Sequence, residues 1–160
     1  MSLRSLEHAI PAGDLILLDT SAIASYFKGN ELASPVAAHV IDRCVATGRN
    51  PSVVSTVTAM ELLVPPLRDQ DDVLFRSVDF FLRHTRYLQV ADMTLAIAHE
   101  AAVIRARYGL KTPDALIVGT GRVLAVRHVV SNDREWSKKL GDAPSFGLAV
   151  TYLEDHLPFP

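Results

Sequence analysis

Residues 15–23 read LILLDTSAI, an apolar run that stops at the carboxylate of Asp19 and continues into Thr20 and Ser21. Four consecutive apolar residues before an acid predict a buried strand, and the segment that follows is compatible with a helix. Open α/β sheets place their chemistry at the edge where strands end and helices begin. A strand also often ends at Asp because this residue favours turns. The stretch therefore indicates function only if other carboxylates reach the same edge.

The composition is that of a globular protein with one domain. The chain has 160 residues, of which 49% are hydrophobic and 21% are charged, and a chain of this length can bury a substantial core. No apolar run approaches the roughly 20 residues that cross a bilayer, and Glu7 and Pro11 interrupt the first dozen positions. We therefore predict no membrane association and no signal peptide. The lone Cys44 cannot form an internal disulfide, so we expect a cytoplasmic protein.

The net charge of −2 and the isoelectric point near 6.3 argue against a broad basic face. Such a face dominates non-specific binding of nucleic acids. A local cationic groove beside an acidic centre remains compatible with this balance.

Apolar segments that read as strands alternate with segments that read as helices. The predicted strands are 15–18, 51–55, 87–90, 128–131 and 148–152. Helices are predicted over 21–27, 34–47, 56–63, 71–84 and 133–140, with two more between the third and fourth strands. Predicted helix caps are Ser34, Asp92 and Thr112, and Pro65-Pro66 is predicted to interrupt the third helix. This alternation predicts a parallel sheet flanked by helices, a three-layer α/β domain.

Four acids map to one edge of that sheet, because helices that follow parallel strands begin where the strands end. Asp19 ends the first strand, and Glu61 lies early in the helix after the second strand. Asp114 lies in the first turn of the helix that leads into the fourth strand, and Asp133 follows that strand. Two helices separate the third and fourth strands and both cannot run straight back, so the position of Asp114 depends on which of them does.

Each acid also has a purely structural explanation. Glu61 completes a capping-box pattern with Thr58, Asp114 favours a helix dipole, and Asp133 could cap its own helix. Four carboxylates at one edge would nevertheless repel one another, and a divalent cation removes that cost. Carboxylate oxygens and water are the ligands that Mg²⁺ or Mn²⁺ prefers, and such a site suits phosphodiester hydrolysis.

The sequence resembles the PIN-domain nucleases in four acidic motifs. These are LLDTSAI with Asp19, STVTAMEL with Glu61, KTPDALIVGT with Asp114 and SNDREW with Asp133. Length and spacing are most similar to the VapC-type toxins of bacterial and archaeal toxin–antitoxin pairs. The resemblance covers residues 15–152, which would form the PIN domain, preceded by a leader of unknown role over 1–14 and followed by a C-terminal tail over 153–160.

The resemblance implies a PIN-like fold with a five-stranded parallel sheet and a Mg²⁺- or Mn²⁺-dependent endoribonuclease. It further implies an RNA substrate, a cognate antitoxin and a homodimer. Asp19, Asp114 and Asp133 would hold the metal directly or through water, and Glu61 would complete the acidic cluster. Ser21 and Ser131 match hydroxyl positions that orient ligands or water.

Three further features are predicted to contact partners. Lys111 and Arg134 flank two of the acids and are candidates for contacting RNA phosphate, although solvated surface charge explains them equally well. The polar stretch 68–72 after the proline pair resembles the variable region with which family members grip an antitoxin.

Other functions fit the motifs less well. Haloacid-dehalogenase-type phosphatases need a second Asp two positions after the first, where this chain has Ser21. A receiver-type signalling domain would not explain Glu61 and Asp114. The chain has no paired histidine spacing for zinc and no glycine-rich nucleotide motif. A PIN-like domain retained for protein binding, and a nuclease outside toxin–antitoxin systems, remain the alternatives.

Overall fold

In the part of the chain that the structure describes, residues 3–140 and 147–157, the computed structural model contains one sheet of five parallel strands. The strands are β1 (Ile16–Leu18), β2 (Ser52–Ser55), β3 (Leu88–Ala91), β4 (His128–Ser131) and β5 (Ala149–Tyr152). They lie in the order β3-β2-β1-β4-β5, so β1 is central. The order reverses at β1, which places the ligand crevice of an open α/β sheet beside the end of this strand.

The central strand explains the unbroken apolar run of the opening motif. Ile16, Leu17 and Leu18 are all fully buried, at 0% exposure. Because side chains alternate along a strand, Ile16 and Leu18 pack into one hydrophobic cluster and Leu17 packs into the other. A strand covered on both faces needs apolar residues at every position. The two clusters confirm the predicted three-layer arrangement.

Helices cover both faces of the sheet. They are α1 (Leu3–Ala9), α2 (Thr20–Lys28), α3 (Ser34–Ala38), α4 (Thr56–Arg68), α5 (Asp72–His84), α6 (Leu95–Tyr108), α7 (Thr112–Val123) and α8 (Arg134–Leu140). A π-helical segment (His39–Val45) prolongs α3, and a 3₁₀ turn (Leu153–His156) follows β5. Helices α1 to α5 pack mainly with Ile16 and Leu18, and α6 to α8 pack with Leu17. None of the described helices is long and apolar enough to span a membrane.

The predicted helix caps are wrong by one or two positions. The N-cap residues are Ala33, Thr94 and Lys111 instead of Ser34, Asp92 and Thr112. Thr94 has the extended backbone that a cap requires, and its hydroxyl accepts a hydrogen bond from the amide of Ile97 at 3.3 Å. The Ser34 hydroxyl donates instead to the carbonyl oxygen of Ser25 at 2.6 Å, because Ser34 already lies within its helix.

The predicted interruption at Pro65-Pro66 is also wrong, since α4 continues to Arg68. Proline lacks an amide hydrogen and disturbs the turn before it, but its fixed φ suits a helix and its own carbonyl still accepts. The carbonyl oxygens of Pro65 and Pro66 accept from the amides of Asp69 and Asp71, at 2.9 Å and 2.8 Å. The prolines therefore sit in the last turns of one longer helix.

Helices α6 and α7 carry the chain from β3, at one edge of the sheet, past β2 and β1 to β4. The two helices are in near-backbone contact at Gly119. A Cβ added there would lie 3.1 Å from the amide nitrogen of Ala101 and 3.2 Å from the carbonyl oxygen of Ile97. Only glycine permits this approach without a shift of one helix. The pair thus shares the crossover, and α7 is the helix that leads into β4.

The segment before β1 packs against the rest of the domain. Leu6 of α1 and Ile10 are fully buried in the same cluster as Ile16. The guanidinium of Arg49 donates to the carbonyl oxygens of Glu7 and Ile10, each at 2.9 Å. Residues 3–10 therefore contribute to the core.

Candidate active site

One cleft of about 490 Å³ at the switch in strand order contains all four predicted acids. Its lining comprises Asp19, Thr20, Ser21, Met60, Glu61, Val64, Pro65, Asp114 and Asp133. We call this the acidic cleft. The structure thus brings together Asp19, Glu61, Asp114 and Asp133, as their positions relative to the predicted strands indicated, and Ser21 lies beside them.

Asp19 forms the buried floor of the acidic cleft. The ladder that pairs Leu18 with Val130 brings Ser131 beside Asp19, whose amide donates to the Val130 carbonyl at 3.0 Å. Oδ2 of Asp19 accepts from the hydroxyls of Ser21 at 2.6 Å and Ser131 at 2.7 Å. Asp19 is only 4% exposed. Burial raises its pKa above the usual range, and the two hydroxyl hydrogen bonds oppose that rise.

Ser21 and Ser131 connect the floor to the next turn of the chain. The Ser21 hydroxyl accepts from the amide of Asn132 at 2.8 Å, and the Ser131 hydroxyl accepts from the amide of Asp133 at 3.0 Å. Each hydroxyl therefore donates to Asp19 and accepts from the β4–α8 turn. The two serines fix the orientation of Asp19 relative to Asp133.

Asp114 stands in the first turn of α7, half-buried. Its pKa is raised by burial first and then by the negative charge of Asp19 and of Asp133, while Trp136 and Lys111 oppose the rise. A helix dipole alone would lower this pKa, so burial and neighbouring charge outweigh it. Asp114 therefore lies in the field of Asp19 and Asp133 as well as at the start of its helix.

Asp133 also has a structural role, as expected from its position. Its Oδ1 accepts from the amide of Glu135 at 2.8 Å, which caps the start of α8. The same residue lines the acidic cleft and raises the pKa of Asp114. Capping and a place in the site are compatible here.

Glu61 does not belong to a capping box. The N-cap of α4 is Ser55, whose hydroxyl accepts from the amide of Val57 at 3.2 Å, so Glu61 lies well inside the helix. Its Oε2 instead accepts from the hydroxyl of Thr20 at 2.5 Å. This bond links α4 to the start of α2, next to the floor residue Asp19.

The acidic cleft contains the carboxylates of Asp19, Glu61, Asp114 and Asp133. Among the described residues, none of them forms an ion pair with Lys, Arg or His. Nor are three His, Cys, Asp or Glu side chains within the described ranges already gathered around one point as metal ligands. The donor set suits a hard divalent cation that keeps several of its waters, as Mg²⁺ does.

The two predicted phosphate contacts lie in different settings. Lys111 is the N-cap of α7 at the rim of the cleft, and its Nζ lies 3.6 Å from Oε2 of Glu135. Arg134 pairs with Asp155 at 2.6 Å and stacks over the ring of Tyr152 at 4.8 Å. Lys111 is therefore near the acids, whereas Arg134 is held toward the C-terminal turn.

One polar and three apolar residues of the cleft were not among the predicted site residues. Thr20 directly follows the strand-end acid, so its position next to Asp19 was available as a signal. Met60, Val64 and Pro65 lie one residue before and three and four residues after Glu61, which is the spacing of one helical face. Because the helix was predicted to end before the prolines, Val64 and Pro65 were not expected to lie on the same helical face as Glu61.

Residues 16–140 match the model of one protein family, described as the PIN domain. No curated protein matches the chain.

Several solved structures resemble its fold. A toxin–antitoxin complex from Klebsiella pneumoniae shares 19% identity at a TM-score of 0.64, covering 84% of this chain and 95% of that one. VapBC2 from Rickettsia felis, bound to a DNA fragment from its promoter, shares 14% identity at a TM-score of 0.67, covering 86% and 98%. Mycobacterium tuberculosis VapC20, a toxin that cleaves the sarcin–ricin loop, shares 16% identity at a TM-score of 0.63, covering 77% and 93%.

Proposed function

The chain belongs to the PIN-domain family, and from this membership and the acidic cleft we propose that it is a metal-dependent endoribonuclease, the toxin of a type II toxin–antitoxin pair. One observation carries the proposal: four carboxylates line one cleft, and none of them is paired with a cation among the described residues. Such a group is costly unless a cation joins it.

Each acid has a role that its contacts support. Asp19, Asp114 and Asp133 hold Mg²⁺ or Mn²⁺ directly or through water, and Glu61 completes the cluster from the opposite side. When bound, the cation would activate water and neutralise the phosphate oxygens. Ser21 and Ser131 hold the Asp19 carboxylate in one orientation. Lys111, and Arg134 when it exchanges partners, contact RNA phosphate.

The wider biological setting is part of the same proposal. The fold is shared with solved toxin–antitoxin proteins, which supports a cognate antitoxin as partner. A homodimer and action in the cytoplasm are further parts of the proposal, which follow from the resemblance to VapC-type toxins. Residues 15–152 constitute the PIN domain, and 153–160 a C-terminal tail. Residues 1–14 are a leader, of which residues 3–10 contribute to the core. Residues 68–72, which begin at the last residue of α4, contact the antitoxin.

The test is cleavage of a labelled RNA by purified protein with Mg²⁺, with Mn²⁺ and with EDTA. We expect cleavage only with metal, and we expect Asp19→Asn to lower the rate by about 10²-fold or more, since each catalytic electrostatic contact contributes on this scale. Asp69→Asn is the matched control, because Asp69 is an exposed acid that pairs with Arg68 away from the cleft. Metal-independent cleavage, or full activity of Asp19→Asn, would overturn the nuclease proposal.

A second measurement separates the toxin role from nuclease activity. Expression of the wild-type chain in a bacterial host should arrest growth, and expression of Asp19→Asn should not. Cleavage without arrest would favour a nuclease outside toxin–antitoxin systems. The absence of a preformed three-ligand cluster in the described residues favours a second candidate, a PIN-like domain that only binds protein. Metal-dependent cleavage excludes it.

A further inference from the structure

We propose that cations at the end of α6, at the start of α7 and on α8 form the surface that binds the RNA backbone next to the acidic cleft. The inference rests on the proposed function and assigns the side from which the substrate enters. The surface comprises Arg105, Arg107, Lys111, Lys138 and Lys139, and we call it the α6–α8 basic surface.

Contacts between the three elements make these residues neighbours. Nζ of Lys139 donates to the carbonyl oxygen of Gly109, in the α6–α7 turn, at 3.2 Å. The guanidinium of Arg105 donates to the hydroxyl of Thr112 at the start of α7. Lys111 lies 3.6 Å from Glu135 of α8. One continuous patch therefore includes the helix end, the turn and α8.

The α6–α8 basic surface is positively charged, whereas the chain as a whole is negatively charged. Residues 101–111 contain Arg105, Arg107 and Lys111 and no acid, and α8 adds Lys138 and Lys139 against Glu135. Five cations against one acid give a local charge of +4, whereas the whole chain carries −2. The local concentration of positive charge is the electrostatic signature of a phosphate-binding surface.

Most of this charge is not neutralised by carboxylates. Some cations elsewhere in the described residues lie in ion pairs, as Arg68 does with Asp69 and Arg83 does with Asp79. Among the described residues, Lys111 is the sole member of the basic surface with a carboxylate within ion-pair distance, at 3.6 Å. Uncompensated exposed cations release counterions when they meet phosphates, which drives binding.

Lys111 connects the surface to the site. It is the N-cap of α7 and lies three residues before Asp114, which is in the first turn of the same helix and lines the acidic cleft. A cleft of four acids repels a polyanion, so a nuclease of this kind needs cations beside the acids. An RNA strand laid along the basic surface would reach the acidic cleft at its α7 side.

The experiment measures RNA binding without cleavage. A labelled 20-nucleotide single-stranded RNA is titrated with the Asp19→Asn protein in Mg²⁺, and anisotropy is recorded at several KCl concentrations. The test variant adds Arg107→Gln, Lys138→Gln and Lys139→Gln. The control variant adds Arg43→Gln, Arg76→Gln and Arg86→Gln, three exposed arginines of the other helical layer and the start of β3 with no ion-pair partner among the described residues. Both variants lose three positive charges.

We expect the test variant to bind at least about tenfold more weakly and its salt slope to fall by about 2, since each single-strand phosphate contact contributes roughly 0.7 to that slope. The control variant should keep both quantities near those of the parent protein. In the catalytically intact chain, the test substitutions should raise KM and leave kcat unchanged, because these residues do not line the cleft.

Equal losses in both variants, or an unchanged slope in the test variant, would overturn the inference while the proposed nuclease stands. If the Asp19→Asn protein binds no RNA and the wild type cleaves none, the proposed function itself fails.

Discussion

On the α4 side of the acidic cleft, Glu61 stands among the apolar side chains of Met60, Val64 and Pro65, whereas on the α7–α8 side Asp114 and Asp133 face each other beside Lys111. We call these the α4 wall and the α7–α8 wall. Met60 and Val64 are 53% and 46% exposed. The α4 wall therefore presents one acid within an apolar surface, and the α7–α8 wall presents acids within a charged one.

The difference teaches that the four carboxylates do not form one uniform cluster. The charges of Asp19 and Asp133 act on Asp114 and raise its pKa, so these three acids are electrostatically coupled. Glu61 is instead held by a single hydroxyl, that of Thr20. We infer that the cation is held mainly by the floor and the α7–α8 wall, and that the α4 wall supplies a supporting carboxylate.

The largest expected effect is on metal affinity, when one acid of either wall is replaced in a separate variant. Asp114→Asn should weaken Mn²⁺ binding by at least about tenfold, equivalent to about 1.4 kcal/mol, because it removes a charge that is coupled to two others. Glu61→Gln should weaken binding by only about two- to fourfold. Both affinities can be measured by isothermal titration or by the electron paramagnetic resonance of free Mn²⁺.

Both substitutions replace a carboxylate by the amide of the same shape, so each serves as the control for the other. Equal losses for the two variants would mean that the cation is shared evenly between the walls. A greater loss for Glu61→Gln would reverse the comparison and place the main ligands on α4.

The second effect concerns how the α7–α8 wall is held in place. Gly119→Ala would put a methyl group against the backbone of α6, at 3.1 Å from the Ala101 nitrogen, and should cost about 1–3 kcal/mol of stability. Gly121→Ala is the matched control, because its Cβ would meet side chains, with Leu17 Cδ2 at 3.3 Å. Both changes gain the same helix propensity, about 1 kcal/mol.

Urea denaturation measures both variants. We expect Gly119→Ala to be the less stable, and we expect it to lose nuclease activity as well, because α7 carries Asp114. A Gly119→Ala protein as stable as the Gly121→Ala protein would show that α6 can move away from α7 without cost.

The sequence was sufficient for the layers of the fold, because the buried strands are short apolar runs whose ends are marked by polar residues. Asp19 and Asp133 could be placed because Asp19 directly follows a strand and Asp133 lies two residues after one. Asp114 was harder, since nothing in the sequence says that Gly119 allows α6 and α7 to pack so closely. That contact is a relation between two helices, and it is visible only in three dimensions.

The α4 wall shows where local rules mislead. The capping-box pattern at Thr58 and the proline pair both suggested a short helix with Glu61 near its start. In the structure Ser55 takes the cap and the helix extends to Arg68. Tertiary packing of Leu62 in the core outweighs the local preference of the prolines. The apolar half of the cleft was therefore not predictable from the same motifs that revealed its acids.

The smallest expected effect is a pH dependence of stability. It distinguishes Asp19, at the floor of the cleft, from exposed acids elsewhere in the chain. Because burial raises the pKa of Asp19 in the folded protein, its proton is bound more tightly there than in the unfolded chain. The stability of the metal-free protein should therefore fall as pH rises from the ordinary aspartate value, about 4, through the raised pKa, and stay lower above it. A paired surface acid such as Asp69, whose pKa is lowered, acts in the opposite direction.

Thermal melting in EDTA at pH 5 and pH 8 tests this. We expect Asp19→Asn to gain stability relative to the wild type at the higher pH, by about 2–4 °C in Tm for each kcal/mol, because an amide has no charge to bury. Addition of Mg²⁺ should raise the Tm of the wild type more than that of the variant, since the cation favours the ionised carboxylate. If the variant and the wild type melted alike at both pH values, with and without Mg²⁺, Asp19 would not be the strained acid that makes the cleft ready for a cation.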